Sequence, residues 1–172
     1  MRLAFSIIFL FIVLTIILLA ITYGETIFLK QIYIAQPVLN SGLSNPEWVD
    51  EFQTYAYYGA GFAGLITLIW LVAGATKYQV EDFSNAGGRW FWIALLTILI
   101  LVTLIAGILI PTGTQNLGSL FAITFYLINA LVIYWFSSAV FSPPNIKYAP
   151  LGSYNLATIA NKIMKPLQGV NR

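Results

Sequence analysis

The chain contains no cysteine and no histidine. Without thiols it has no disulfides, thiolate metal sites, iron–sulfur clusters or sulfur nucleophiles. Without imidazole the commonest metal ligand, the usual haem ligand and the commonest general base are missing together. Charge is scarce as well: 8% of the 172 residues are Asp, Glu, Lys or Arg, where an ordinary soluble domain carries about a quarter. The formal net charge of +2 is too small for the dense basic face that nucleic acid requires. No nucleic-acid partner, metal or cofactor is therefore expected.

What the chain does have is hydrocarbon. Hydrophobic residues make up 59% of it, and the mean hydropathy is +0.84, which places it with membrane proteins. A bilayer core of about 30 Å takes roughly 20 apolar residues in a helix, because backbone groups left unpaired in oil are too costly. Four segments reach that length: 3–23, 54–75, 90–110 and 118–141. The expected fold is all-α, a polytopic membrane domain of four transmembrane helices over 1–141, followed by a tail over 142–172. The first run, LAFSIIFLFIVLTIILLAITY, outlasts the roughly 7 to 15 apolar residues of a signal peptide. No small-residue cleavage site follows before Gly24 and Glu25, so it reads as an uncleaved anchor. Residues 24–53 are then expected as an outer loop, and Pro111, Gly113 and Asn116 supply turn chemistry between the third and fourth spans.

Orientation follows from the cations. With the amino terminus inside, Arg2, Lys77, Arg89, Lys147, Lys162, Lys165 and Arg172 are cytoplasmic and only Lys30 is outside. That bias puts both termini in the cytoplasm, here of a bacterium or archaeon. Arg89, Trp90, Trp92 and Trp135 are the expected membrane-interface anchors, with indoles at the boundary and the guanidinium among headgroups.

Two segments carry helix signals of their own. In SNPEWVDEF, Ser44 with Glu47 fits a capping box, Pro46 suits a first turn, and Glu47, Asp50 and Glu51 place negative charge at the positive end of the dipole. The second helix is thus expected to start near Pro46. In the tail, Leu156, Ile159, Ala160, Ile163 and Met164 recur at helical spacing opposite Asn161, Lys162 and Lys165. That pattern predicts a short amphipathic cytoplasmic helix over 153–165, whose Leu156, Ile159, Lys162, Ile163 and Lys165 meet membrane lipid or a partner protein.

Small residues are concentrated in the second span. Ala56, Gly59, Ala60, Ala63 and Gly64 plane one side of a helix smooth, which in lipid serves close helix–helix approach rather than solvation. The contacted helix could belong to this chain, to another copy or to another subunit. The four segments contain no Asp, Glu, Lys or Arg, which argues against ion-coupled transport. Their deepest polar group is Asn129, with Thr124 nearby, expected to hydrogen-bond across a helix interface.

Enzyme chemistry finds little footing. Ser137 and Ser138 have no histidine or nearby lysine to activate them. Glu81 and Asp82 are adjacent and so do not face each other, and NAGGRW lacks the spacing of a nucleotide-binding loop. The expected role is a non-catalytic scaffold subunit of a larger prokaryotic inner-membrane complex, such as a secretion or conjugation apparatus or a respiratory or photosynthetic complex. Its partners would be other subunits or further copies of itself. The alternative is an oligomeric channel or carrier for a small uncharged or lipidic solute, lined by Asn129, Thr124 and tyrosines.

Overall fold

The computed structural model describes residues 2–35, 45–76, 85–109 and 117–141. The expected turn around 111–116, Ser44, the pair Glu81 and Asp82, and the amphipathic tail helix with its Leu156, Ile159, Lys162, Ile163 and Lys165 lie outside the described residues. The described residues are all helical, and four helices are long and apolar enough to cross a membrane: Leu3–Gln31, Val49–Thr76, Gly87–Gly107 and Ala122–Val140. The shortest of these is 19 residues, about 28 Å at 1.5 Å per residue, close to the hydrocarbon thickness.

The first helix is longer than its apolar run. It comprises α1 (Arg2–Leu19), a π-helical turn π1 (Ala20–Glu25) and α2 (Thr26–Ala35), joined through Leu19 and Thr26 in ordinary helical backbone conformation. The expected end at Tyr23 is therefore not an end. Glu25, assigned from the sequence to an outer loop, sits inside a continuous helix about 9 Å short of Gln31 along the axis. The π-turn has a packing reason. From Val13 onward the buried stripe of this helix runs Val13, Ile17, Ile21, Glu25 and Leu29, every fourth residue. In a regular α-helix such a series drifts around the axis by roughly 40° per step. A π-turn takes up an extra residue and returns the stripe to the core. Thr26 closes it, its backbone N–H and its Oγ1 (2.7 Å) both donating to the Ile21 carbonyl.

α3 (Asn45–Thr76) opens one residue before Pro46, where a missing N–H costs a helix nothing. It is the central rod and packs against all the other helical segments. Its buried stripe runs Val49, Phe52, Ala56, Ala60, Ala63, Thr67 and Trp70, mixing steps of three and four as a straight α-helix requires. α4 (Asn85–Leu109) and α5 (Leu117–Leu131) pack on α3 and on each other. α5 continues through a second π-turn, π2 (Val132–Phe136), into α6 (Ser137–Phe141). The same device serves the same end here: Ala122, Tyr126, Ala130, Tyr134 and Ser138 recur every fourth residue and all are buried.

The small residues of α3 are used within the chain. Ala56, Ala60 and Ala63 are buried, and a Cβ on Gly64 would come to 3.0 Å from a methyl of Leu14 on α1. Gly59 departs from that group, with open space where its Cβ would be. A second close approach joins α4 to α5, where a Cβ on Gly107 would collide with the Ile123 side chain. Large apolar side chains such as Ile8, Phe11, Ile12, Ile16, Leu65, Leu101 and Ile105 point outward, which is the expected outer surface of a bundle solvated by lipid.

Candidate functional site: two polar joints inside the bundle

Buried polar side chains gather at two levels of the bundle. One lies toward the end where α3 begins. Tyr126 of α5 stacks on Phe52 of α3, with ring centroids 5.2 Å apart and planes 11° from parallel. Its hydroxyl donates to the Phe52 carbonyl at 3.0 Å. Asn129, one turn further along α5, donates from Nδ2 to Glu25 Oε1 at 2.9 Å. Tyr126 and Asn129 share a face because they are three residues apart. One helix thus reaches both α3 and π1.

Glu25 is only 9% exposed, and its Oε2 accepts no hydrogen bond. Glu51, the neighbour of Phe52, is half-buried, and its Oε2 is also buried without a donor. The joint therefore combines one deeply buried carboxylate, a second at its rim, an amide and phenols. Lys30, the basic residue nearest along the helix, is exposed. At the rim a more accessible chain ties π1 to α3: Gln53 Nε2 donates to Tyr57 Oη at 2.8 Å, and Tyr57 Oη lies 2.8 Å from Thr22 Oγ1.

The second joint lies toward the end where α4 begins. Tyr134 stacks on Trp92 at 5.3 Å and donates its hydroxyl to the Trp92 carbonyl at 2.9 Å. The Trp92 indole N–H donates to Ser138 Oγ at 3.0 Å, and Ser138 in turn donates to the Trp135 carbonyl at 3.1 Å. No family model, curated protein or solved structure matches the chain. The reading of these joints rests on their own chemistry.

The structure redistributes the residues singled out from the sequence. Asn129 is buried, and the group it holds is an acid on the first helix. Thr124 faces outward, so the two do not share a lining. Arg89 and Trp90 are exposed, as an anchor must be, and Trp135 is partly buried against the core. Trp92 turns inward at 6% exposure instead, because its N–H and carbonyl both find partners on the last helix. Ser138 is occupied by Trp92, and Ser137 is buried with no partner for its hydroxyl. Among the described residues no group of three His, Cys, Asp or Glu side chains is arranged to hold a metal.

Glu25, assigned from the sequence to an outer loop, and the phenols Tyr126 and Tyr134 are interior residues of the joints. The signal that could have found them is the strict four-residue repeat. Ile17-Ile21-Glu25-Leu29 places an acid in register with a core stripe, and Tyr126-Ala130-Tyr134-Ser138 does the same for two phenols and a hydroxyl.

Proposed function

We propose that this chain is a non-catalytic, multi-pass subunit of a larger assembly in a prokaryotic cytoplasmic membrane, with both termini on the cytoplasmic side. The observation that carries this reading is where the interior polar groups go. The Glu25–Asn129, Tyr126–Phe52, Tyr134–Trp92 and Trp92–Ser138 contacts each tie one helix to another. None of them pairs a nucleophile with a base. Interhelical hydrogen bonds of this kind contribute about 0.6 to 1.7 kcal/mol each in a membrane, which suits a rigid building block.

Ala56, Ala60 and Ala63 are buried within the chain and Gly64 lies against Leu14 of α1, so that part of the small-residue face of α3 serves contacts inside the bundle. Contacts with other subunits fall instead to the outer surface, to the acidic first turns of α3, and to the basic amphipathic stretch over 153–165 that the sequence pattern supports. The alternative is an oligomeric channel or carrier for an uncharged or lipidic solute; within one chain Asn129 is engaged by Glu25 while Thr124 faces outward, so a lining that used both would have to form between copies.

Extraction from native membranes in a mild detergent tests the proposal. The chain should migrate well above the mass of one copy together with other membrane proteins. A lone monomer across several detergents would refute it.

A further inference from the structure

We propose that Glu25, Asn129 and Tyr126 form the core of a binding site for one small monovalent cation, enclosed between π1, α3 and α5. The first argument is the state of the Glu25 carboxylate. It is nine-tenths buried in a membrane-spanning bundle, one oxygen satisfied by Asn129 at 2.9 Å and the other by nothing. A carboxylate so placed carries a heavy desolvation cost unless something positive or a donor meets it. An ionisable group at membrane depth is by default a candidate for function.

The second argument is the composition of the surroundings, which offers oxygen lone pairs and few remaining hydrogens. Asn129 turns its amide nitrogen to Glu25, which leaves Oδ1 as an acceptor. Tyr126 gives its proton to the Phe52 carbonyl, and that leaves the phenol oxygen's lone pairs free. Glu51, which neighbours Phe52 along α3 and is half-buried, has one carboxylate oxygen that is buried without a donor. An acceptor-rich cluster with its donors already spent suits a hard cation, whose shell is made of oxygens. A proton would serve only one of them.

Charge selects the valence. Among the described residues Glu25 is the one deeply buried acid, whereas Glu51 is half-buried and open to solvent screening. No third acidic ligand accompanies them among the described residues. A divalent ion, which usually draws on several carboxylates, would be under-coordinated here, and a monovalent ion balances the single buried charge. The π-turn is the positioning element: it brings position 25 back to the buried stripe that a regular helix would have rotated away.

The test uses a hydrophobic carbodiimide, which modifies protonated carboxyl groups within the bilayer, on the whole purified protein in liposomes at fixed pH. Modification at Glu25 is followed by peptide mass spectrometry in sodium chloride or in N-methylglucamine chloride of equal ionic strength. A bound cation keeps the carboxylate unprotonated and shields it. Sodium at ten times its dissociation constant should slow labelling about tenfold by mass action, with N-methylglucamine ineffective. A labelling rate that responds to pH and not to sodium, lithium or potassium would overturn the proposal, leaving a proton site only.

Thermal unfolding provides the second readout. Sodium should raise the midpoint of the native protein and fail to raise that of Glu25→Gln, which keeps the shape and an acceptor for Asn129. Glu25→Gln stabilised by sodium as much as the native chain would equally overturn the site. Because the labelling arm needs no variant, a Glu25→Gln protein that does not fold leaves the proposal fully exposed to refutation. The site is also independent of any assembly, so its failure would not touch the proposed scaffold role, and a monomeric chain that binds sodium would refute that role alone.

Discussion

The two polar joints use one device with different endings. At each, a tyrosine of the last helix stacks on an aromatic ring of a neighbouring helix and donates to that same residue's carbonyl: Tyr126 on Phe52, Tyr134 on Trp92. At each, a second contact one turn further along the last helix completes the tie. In the Trp92 joint that contact is neutral, an indole N–H to Ser138, and Ser138 passes its own hydrogen to the Trp135 carbonyl. In the Phe52 joint it runs from an amide to a carboxylate, and one carboxylate oxygen stays without a donor. A neutral joint can close on itself with the hydrogens it has. A joint containing an acid does so only by taking up a proton or a cation, since an ionised carboxylate only accepts. The comparison shows why packing alone explains the first joint and not the second.

Breaking the charged joint should cost most. Asn129→Leu removes the donor and leaves a buried carboxylate wholly unpaired, so denaturant or thermal unfolding in detergent should show a loss of about 3 kcal/mol or more. Glu25→Leu together with Asn129→Leu should recover much of that loss, because two apolar side chains ask for no partner. A double variant no better than Asn129→Leu would mean the pair is not coupled.

Next in size is the contact between α1 and α3. Gly64→Leu drives a side chain into Leu14 and should cost about 1 to 3 kcal/mol in the same measurement. If it instead altered only the oligomer mass and left monomer stability alone, the small-residue face would be an intersubunit surface after all. Smaller again is the shared device. Tyr126→Phe and Tyr134→Phe each remove one interhelical hydrogen bond and keep the stacked ring, so each should lose about 0.6 to 1.7 kcal/mol. The smallest effect belongs to the rim: Tyr57→Phe, on an exposed residue, should stay within about 0.5 kcal/mol.

Much of the fold could be read from composition because hydrocarbon thickness sets helix length so strongly. Four apolar runs became four helices, and the turn chemistry at Pro46 coincides with the opening of α3. The end of the first helix could not be read that way. Gly24 and Glu25 interrupt the apolar run, and an acid in that position looks like the start of an aqueous loop unless its partner is known. Here the partner is Asn129, 104 residues away in sequence. Trp92 failed for a related reason, since an indole near a helix end suits lipid and protein equally, and only its spacing with Leu95, Leu99 and Thr103 reveals a buried stripe. Ala60 and Gly64 were legible as a packing face, while the choice of α1 as the contacted helix depends on tertiary structure.

The account stands or falls on Glu25 lying within the bundle. The chain's lack of cysteine makes the decisive measurement clean: Glu25→Cys carries a single thiol. In intact and in permeabilised vesicles this thiol should resist a membrane-impermeant maleimide, and it should react fully once the protein is unfolded in denaturant. Rapid labelling of the folded protein from either side would put position 25 in an aqueous loop and contradict the joint, the cation site and the uninterrupted first helix together.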